Sequence, residues 1–186
     1  MMHLKNLTAQ NPKTIEQYQL ARQHKFLLWL FSDDGQEWHE AQEKFQPDTL
    51  KVIYVETGEV VWVGKDITSI CPENKSVIEL PDITANRRIE ASGYWFYRND
   101  EFVFDYKLKA EDERDALLKQ VSIMTSEWEK DLLLGLISDE DREKLKAHRI
   151  YAKSLQAMDF SQITDKSSYA TIVWPELPQD INENKK

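Results

Sequence analysis

The pattern of apolar and polar residues changes near position 108. Before that point, short apolar runs separated by turn residues predict β-strands, whereas after it apolar residues recur every three or four positions, as they do in helices. The clearest strand pattern joins Tyr94–Tyr97 and Glu101–Tyr106 through a turn at Arg98–Asp100. Aromatic residues alternate along the second run, so the sequence predicts a β-hairpin with an aromatic face.

The first half carries both helix and strand signals. Asn11-Pro12 is typical of a helix start, because an N-cap residue precedes a proline at the first helical position. Gly35 closes a polar turn in which it supplies a positive φ. Trp38 is predicted to lie on a return strand or a short helix. The other elements are a helix to about Ala21, strands at Phe26–Phe31, Lys51–Val55, Val60–Gly64 and Val77–Leu80, and turns at Ser32–Gly35 and Thr57–Glu59.

The second half is predicted to form two helices joined by a short turn. An acidic first turn begins the first helix at Ala110, and Gly135 ends it. Ser138 caps the second helix, with Asp141 three residues on as a weaker capping box. Such helices form an antiparallel hairpin that packs on itself or across a dimer. The apolar stripes are Leu117, Val121, Met124, Trp128 and Leu132, and then Leu145, His148, Ala152 and Leu155.

These patterns predict an α+β protein with two domains. Residues 1–108 form a mixed domain with short antiparallel strands, and residues 109–186 form a helical hairpin domain with an extended C-terminal tail. The first domain holds 15 of the 20 aromatic residues. Two prolines in Ile172–Pro178 predict the extended segment, and residues 179–186 are predicted to be frayed.

Charge and cysteine content exclude several classes of protein. The chain has 24 basic and 33 acidic side chains, a formal charge of −9 that is divided almost evenly between the halves. This charge argues against non-specific binding to nucleic acid, which needs clustered Lys and Arg. The lone Cys71 cannot form an intrachain disulfide or a multi-cysteine metal site. The polar start and the short apolar run Phe26–Phe31 predict neither a secretory signal nor membrane insertion.

A search for catalytic motifs finds only one partial match. His39 to Glu43 resembles the zinc-protease helix motif, but Glu43 stands where that motif needs its second histidine. A polar surface turn is the simpler interpretation. The sequence has neither a Gly-x-Ser-x-Gly elbow nor a phosphate-binding loop. We therefore expect no enzyme, no cofactor and no metal, and an active site assembled only by the fold stays open as an alternative.

Several landmarks in order along the chain resemble one family, the phage tail-fibre assembly proteins of Mu-like and related phages, which are chaperones encoded beside tail-fibre genes. The resemblance spans most of the chain. It rests on Asn11–Thr14, Glu16–Leu20, Ser32–Gly35 with Trp38, Leu80–Ile83, Asn86–Arg88, Ser92-Gly93 with Trp95, the helix-turn-helix Asp131–Tyr151, and Trp174–Glu176.

The resemblance implies a non-enzymatic chaperone that acts in the host bacterial cytoplasm. Its partner would be the trimeric C-terminal tip of a tail fibre, bound by the N-terminal domain. A homodimer of the free chain is one of the two arrangements that the apolar stripes of the helices leave open. Interface anchors are often Trp and Arg, so we expect the partner-binding residues Trp38, Asn86, Arg87, Arg88 and Trp95. Trp38 has an alternative role, which is to pin the turn Ser32–Gly35. An alternative function is that of a permanent component of the fibre tip that contributes to receptor binding.

Overall fold

The computed structural model describes residues 1–24 and 27–178. The chain divides into two compact units, Met1–Phe104 and a second that begins at Asp105. The first is built on a sheet and the second on helices, which confirms the predicted α+β class. That each unit is an independent domain, with a boundary at 108, stays a prediction. In the described part of the chain, no helix is long and apolar enough to cross a membrane.

A five-stranded antiparallel sheet forms the centre of the first unit. The strands of the unit are β1 (His3–Ala9), β2 (Leu30–Phe31), β3 (Leu50–Tyr54), β4 (Val60–Gly64), β5 (Lys75–Leu80), β6 (Trp95–Arg98) and β7 (Glu101–Phe104). The sheet has the strand order β2-β1-β5-β3-β4, and β6 and β7 form a separate two-stranded hairpin. Helices α1 (Ile15–Gln23) and α2 (Trp38–Gln42) flank β2 in sequence.

The sheet has two apolar faces, because neighbouring residues of a strand point to opposite sides. Ile53 belongs to one buried cluster, and Val52, its neighbour on β3, belongs to another. The first cluster consists of Leu4, Leu7, Leu30, Trp38, Ala41, Phe45, Ile53, Ile67 and Val77. The second consists of Val52, Val60 and Ile89, with Val63, Ile78, Leu80, Trp95 and Phe102 packed against it. Helix α2 thus covers one face of the sheet, and the β6-β7 hairpin covers the other.

A glycine lets the hairpin approach the sheet closely. Gly58, in the turn between β3 and β4, has a φ of +88°, and its carbonyl accepts a hydrogen bond of 2.7 Å from the backbone N–H of Tyr97. A Cβ at position 58 would lie 2.4 Å from the Tyr97 carbonyl oxygen. Only glycine fits this combination of a positive φ and a backbone contact.

Lys51 on β3 and Glu79 on β5 carry charged side chains that lie inside the first unit. Lys51 and Glu79 are 2% and 3% exposed. The Glu79 carboxylate accepts hydrogen bonds from the backbone N–H groups of Met2 and Gln46, at 3.0 and 2.7 Å, and from the Thr49 hydroxyl at 2.7 Å. The Lys51 ammonium donates to the carbonyl oxygens of Gln46 and Thr49. Both charges therefore have polar partners, which offsets the cost of burying them.

The second unit is a helical hairpin with a short third helix, made of α3 (Tyr106–Leu134), α4 (Asp139–Gln156) and α5 (Lys166–Tyr169). Gly135 ends α3 with a φ of +70°, as predicted. The Ser138 hydroxyl caps α4 by accepting a 3.0 Å hydrogen bond from the Asp141 N–H. The unit's core contains Val121, Tyr151 and Leu155, with Leu117, Leu118, Ala152, Met158 and Trp174 packed against it.

Local hydrogen bonds move two helix starts away from their predicted positions. The predicted start of α1 at Asn11-Pro12 is wrong: the N-cap is Thr14, which exchanges capping hydrogen bonds with Gln17. The predicted start of α3 at Ala110 is also wrong, because the Asp105 carboxylate caps a helix that begins at Tyr106. The acidic residues after Ala110 thus lie beyond the first turn of α3, and Tyr106 is helical instead of ending a strand.

The predicted strands agree with the structure except near the start of the chain. The runs that became β3, β4, β5, β6 and β7 are confirmed, whereas β1 was not predicted and the strand proposed at 26–31 is reduced to Leu30–Phe31. Trp38 begins a short helix, one of its two predicted alternatives. Position 26 and the predicted frayed segment 179–186 lie outside the described residues.

Candidate partner-binding surface

A turn with two arginines lies between β5 and the β6-β7 hairpin. Asn86–Arg88 forms one turn of 3₁₀ helix, in which the backbone N–H groups of Asn86 and Arg87 each donate to the Ile83 carbonyl at 3.0 Å. The Asn86 side chain donates to the Pro81 carbonyl at 2.9 Å. These bonds hold the start of the turn, so both arginine side chains leave it towards solvent.

Asp82 holds the first of these arginines in place. Its carboxylate accepts a hydrogen bond of 2.6 Å from Nε of Arg87, and its other oxygen lies 2.7 Å from Nζ of Lys65. The hydrogen bonds from Arg87 and Lys65 lower the pKa of Asp82 to about 2. The Arg87 side chain is still 63% exposed. It can therefore offer its remaining N–H groups to a carbonyl or carboxylate of a partner, as a guanidinium fork does.

The turn and Trp95 meet at the same buried cluster. Ile89, the residue after the turn, is 5% exposed and packs in the cluster against which Trp95 also packs. The half-buried Trp95 ring lies edge-on to Phe104, with ring centroids 5.4 Å apart. Packing on one cluster therefore places Asn86–Arg88 and Trp95 on the same side of the sheet.

Trp38 lies on the opposite side of the sheet. It is 2% exposed and packs in the cluster that contains Ile53 and Phe45, with its ring centroid 6.4 Å from that of Phe45. Its place in the predicted partner-binding set stays a prediction, because no partner is present. In this conformation the indole contributes to the core and presents almost no surface.

His39, the first residue of the partial zinc-protease motif, makes a local contact with Glu37. Nδ1 of His39 lies 2.8 Å from Oε1 of Glu37, and the other Glu37 oxygen accepts from the N–H of Glu40 at 2.9 Å. Glu37 thereby caps α2 and orients His39. Within residues 1–24 and 27–178, no group of three or more His, Cys, Asp and Glu side chains is placed to hold a metal ion.

Comparison with known proteins decides the family. Residues 40–179 match the family described as "Caudovirales tail fibre assembly protein, lambda gpK". The chain belongs to this family. Because the match begins at residue 40 and extends to 179, it includes the Asn86–Arg88 turn, Trp95 and the helical hairpin, but not Trp38.

Similar proteins come from three phages. The chain is 41% identical to tail fiber assembly protein U' of Escherichia phage Mu and 40% identical to tail fiber assembly protein U' of Escherichia phage P1. It is 36% identical to a probable tail fiber assembly protein of Escherichia phage P2. Each alignment covers 96% of this chain and 100% of the relative. The predicted resemblance to the Mu-like branch of the family is confirmed.

Sequence reasoning missed two residues of this surface. Asp82 and Lys65 are 17 positions apart in sequence, and the fold brings them to the same ion pair. Asp82 and Arg87 are five residues apart and directly follow Pro81. This spacing is typical of a turn closed by an ion pair, so it could have indicated the role of Asp82. The contribution of Lys65 has no local signal, because Lys65 follows β4 and Asp82 follows β5, and these two strands lie on either side of β3 only in the folded sheet.

Proposed function

We propose that this chain is a chaperone for the assembly of a phage tail fibre, and that it binds the C-terminal receptor-binding region of the fibre to promote its folding or trimerisation. Membership of the tail fibre assembly family carries this proposal. Its whole-length similarity to phage relatives that are named for fibre assembly supports it. In this role the chain needs binding surfaces and no catalytic group.

We propose that the fibre-facing surface of the first unit includes Asn86–Arg88 and the exposed edge of Trp95. The arginine side chains supply forked donors for backbone carbonyls or carboxylates, and the half-buried Trp95 ring on the same side of the sheet supplies apolar area. Ile83 is 51% exposed and lies at the start of the same turn, so it adds to this area. A fibre chain that has not yet trimerised exposes unpaired strands and apolar surface, which such a patch can cover.

Co-expression tests the function. The C-terminal region of the tail fibre from the same phage or prophage is produced with and without this chain, and the soluble trimer is quantified by size-exclusion chromatography with light scattering. We expect soluble trimer only in the presence of the chain. If the fibre region is equally soluble and trimeric alone, the chaperone proposal is wrong.

Variants of the turn test the proposed surface separately. Arg87→Ala combined with Arg88→Ala should reduce the amount of fibre that co-purifies, whereas Arg22→Ala, which removes an exposed arginine from α1, should not. Equal co-purification of both variants would mean that the turn is not the fibre-facing surface. Recovery of the chain with intact purified virions would favour the alternative function, a permanent component of the fibre tip.

A further inference from the structure

Strand β4 lies at an edge of the central sheet, and most of its outer side is open. It pairs with β3 on its inner side. In residues 1–24 and 27–178, pairing on the outer side occurs just before the strand, where Glu59 forms an isolated bridge with Phe96 of β6. The backbone of Val61–Gly64 makes no hydrogen bond there other than those to β3. Alternate residues of an edge strand direct their N–H and C=O groups outward, so this stretch presents unpaired groups.

The two edges of the sheet differ in how they are protected. Strand β2, at the opposite edge, has two residues, and Phe31 is also bridged to Glu37. A strand this short offers little to pair with. Strand β4 has five residues, Val-Val-Trp-Val-Gly, with neither a charged side chain nor a proline to block pairing. The edge at β4 is therefore the one suited to accept another strand.

The open part of β4 also has a regular backbone. The register of the β3-β4 pair shifts between Ile53 and Tyr54, which face the start of β4. From Trp62 to Gly64, each residue has one partner on β3 in unbroken register. A bulge turns an edge away from pairing, but this one lies at the end of the edge that β6 already reaches. The rest of the edge keeps the geometry that an added strand needs.

Unpaired backbone groups determine the chemistry of the occupant. Evenly spaced N–H and C=O groups along an edge are matched by an extended chain, which adds to the sheet as a further strand. Its side chains would lie beside those of β4. Val61 is 36% exposed, and Trp62 and Val63 are half-buried, so apolar neighbours are favoured. Proline is excluded where the added strand must donate an N–H.

The open edge ends at the turn that we propose to face the fibre. Lys65 follows β4 directly, and its Nζ lies 2.7 Å from the Asp82 carboxylate that also holds Arg87. Val63 packs against the same buried cluster as Trp95. A chain bound at the arginine turn can therefore continue along β4, so the two features form one surface of the first unit.

A second copy of this chain fits the edge less well than a fibre segment. Two identical edges meet across a two-fold axis most simply as an antiparallel pair, with the end of one β4 opposite the start of the other. At that start stands β6, because the Tyr97 N–H donates to the Gly58 carbonyl at 2.7 Å. Two copies would therefore share only Val61–Gly64. A strand from another chain can enter at Gly64 in either direction and extend beyond it.

We infer that the open edge of β4 binds an extended, apolar and proline-free segment of the tail-fibre chain as an added strand. This inference rests on the proposed function, and it deepens it by naming what the first unit recognises, which is the backbone of an unpaired strand. A fibre chain that has not yet assembled exposes such strands. Pairing through the backbone supplies affinity, and the side chains of Val61–Val63 select apolar neighbours.

Hydrogen exchange tests the strand pairing directly. The full-length chain is measured alone and in its co-purified complex with the C-terminal region of the tail fibre from the same phage or prophage. We expect amide exchange in residues 60–64 to slow by about tenfold or more in the complex, because an added strand protects the outward amides. Exchange in Leu30–Phe31, at the other edge, should not change. Unchanged exchange in residues 60–64 would overturn the inference.

A charge placed on the edge tests its contribution to binding. Val61→Lys introduces the residue that native sheets use to prevent edge pairing. Ile15→Lys is the matched control, because Ile15 is 73% exposed on α1 of the same unit. We expect Val61→Lys to retain less than about a tenth of the fibre that the wild type retains, a loss typical of removing an interface anchor. Ile15→Lys, and Val61→Thr with its β-branched side chain, should stay near the wild-type level.

Crosslinking identifies the occupant and separates the two proposals. A photoreactive amino acid at position 61 should crosslink to an apolar, proline-free fibre peptide, and a crosslink to a second copy of this chain would show that the proposed occupant is wrong. If the wild type retains the fibre and Val61→Lys retains it equally, the inference is wrong and the chaperone function stands. If the wild type retains no fibre at all, both proposals fail. Should Val61→Lys fold poorly, the exchange measurement on the wild type still decides.

Discussion

The Asp82 carboxylate and the Arg87 guanidinium form a 2.6 Å hydrogen-bonded ion pair within one turn of chain. The pair holds Nε of Arg87 towards the protein and leaves the rest of the side chain exposed. A partner that binds Arg87 therefore meets a side chain whose position is already restricted, which lowers the entropy lost on binding.

Removing the arginine should change the titration of Asp82. Its pKa of about 2 lies below the ordinary value of 3.8 because Arg87 and then Lys65 donate to the carboxylate. We expect Arg87→Ala to raise the pKa of Asp82 towards 3.8, measured by the pH dependence of its carboxyl carbon shift in NMR. Arg88→Ala should leave it unchanged. An equal rise in both variants would show that general charge, and not the hydrogen bond, lowers this pKa.

The sign of the associated stability follows from the direction of the shift. A carboxylate with a lowered pKa in the folded state stabilises that state above pH 3.8, the unfolded value, and the contribution is lost as the pH falls through about 2. The free energy of unfolding of the wild type, relative to Asp82→Asn, should therefore decrease over this interval. A difference that does not depend on pH would contradict the ion pair.

Replacing Trp38 should reduce stability before it affects binding. Because the indole is buried in the first cluster, we expect Trp38→Ala to lower the free energy of unfolding by about 3–5 kcal/mol. Trp38→Phe keeps most of the apolar volume and should therefore lower the free energy of unfolding by less. Urea denaturation measures both. A loss of fibre binding in Trp38→Ala with unchanged stability would instead place Trp38 at the interface.

Two glycines with similar backbones provide a matched pair. Gly58 and Gly135 both have positive φ, but a Cβ at 58 meets a backbone oxygen at 2.4 Å and one at 135 meets open space. We expect Gly135→Ala to lower the free energy of unfolding by about 1–2 kcal/mol, because alanine is strained in the left-handed conformation. Gly58→Ala should lower it by more. Chemical denaturation measures both. Equal losses would show that the β6-β7 hairpin can move away from the Gly58 turn without cost.

Tyr97 should remain protonated well above the ordinary range. Burial and the 3.1 Å hydrogen bond that its hydroxyl donates to Asp100 raise its pKa to about 12. Because the folded value exceeds the unfolded value of 10, the stability this group adds is complete below pH 10 and is lost as the pH rises through 12. The wild type should therefore lose stability relative to Tyr97→Phe across this interval, as measured by urea denaturation. Asp100→Asn should lower the upper end of this interval, because it lowers the pKa of Tyr97 in the folded state only.

Local interactions explain which elements could be predicted. The β6-β7 hairpin is encoded within ten residues, so alternation and turn residues are sufficient to find it. Strand β1 was missed because it pairs with β5, which lies some seventy residues later, and because its alternation is broken. Its register shifts between Leu4 and Leu7, where Asn6 has a φ of +49°. A two-residue period cannot be recognised across such a bulge.

The sequence by itself determined the α+β class, the hairpin, the helix end at Gly135, the cap at Ser138 and the family resemblance, because each depends on residues that are close together or on their order. Only the tertiary structure decided that Trp38 and Trp95 lie on opposite sides of the sheet, and that Lys51 and Glu79 are buried. These outcomes depend on which distant strands pair and on what covers each face. No local pattern carries that information. The alternation along a strand assigns its residues to two faces, but it does not determine which element packs on either face.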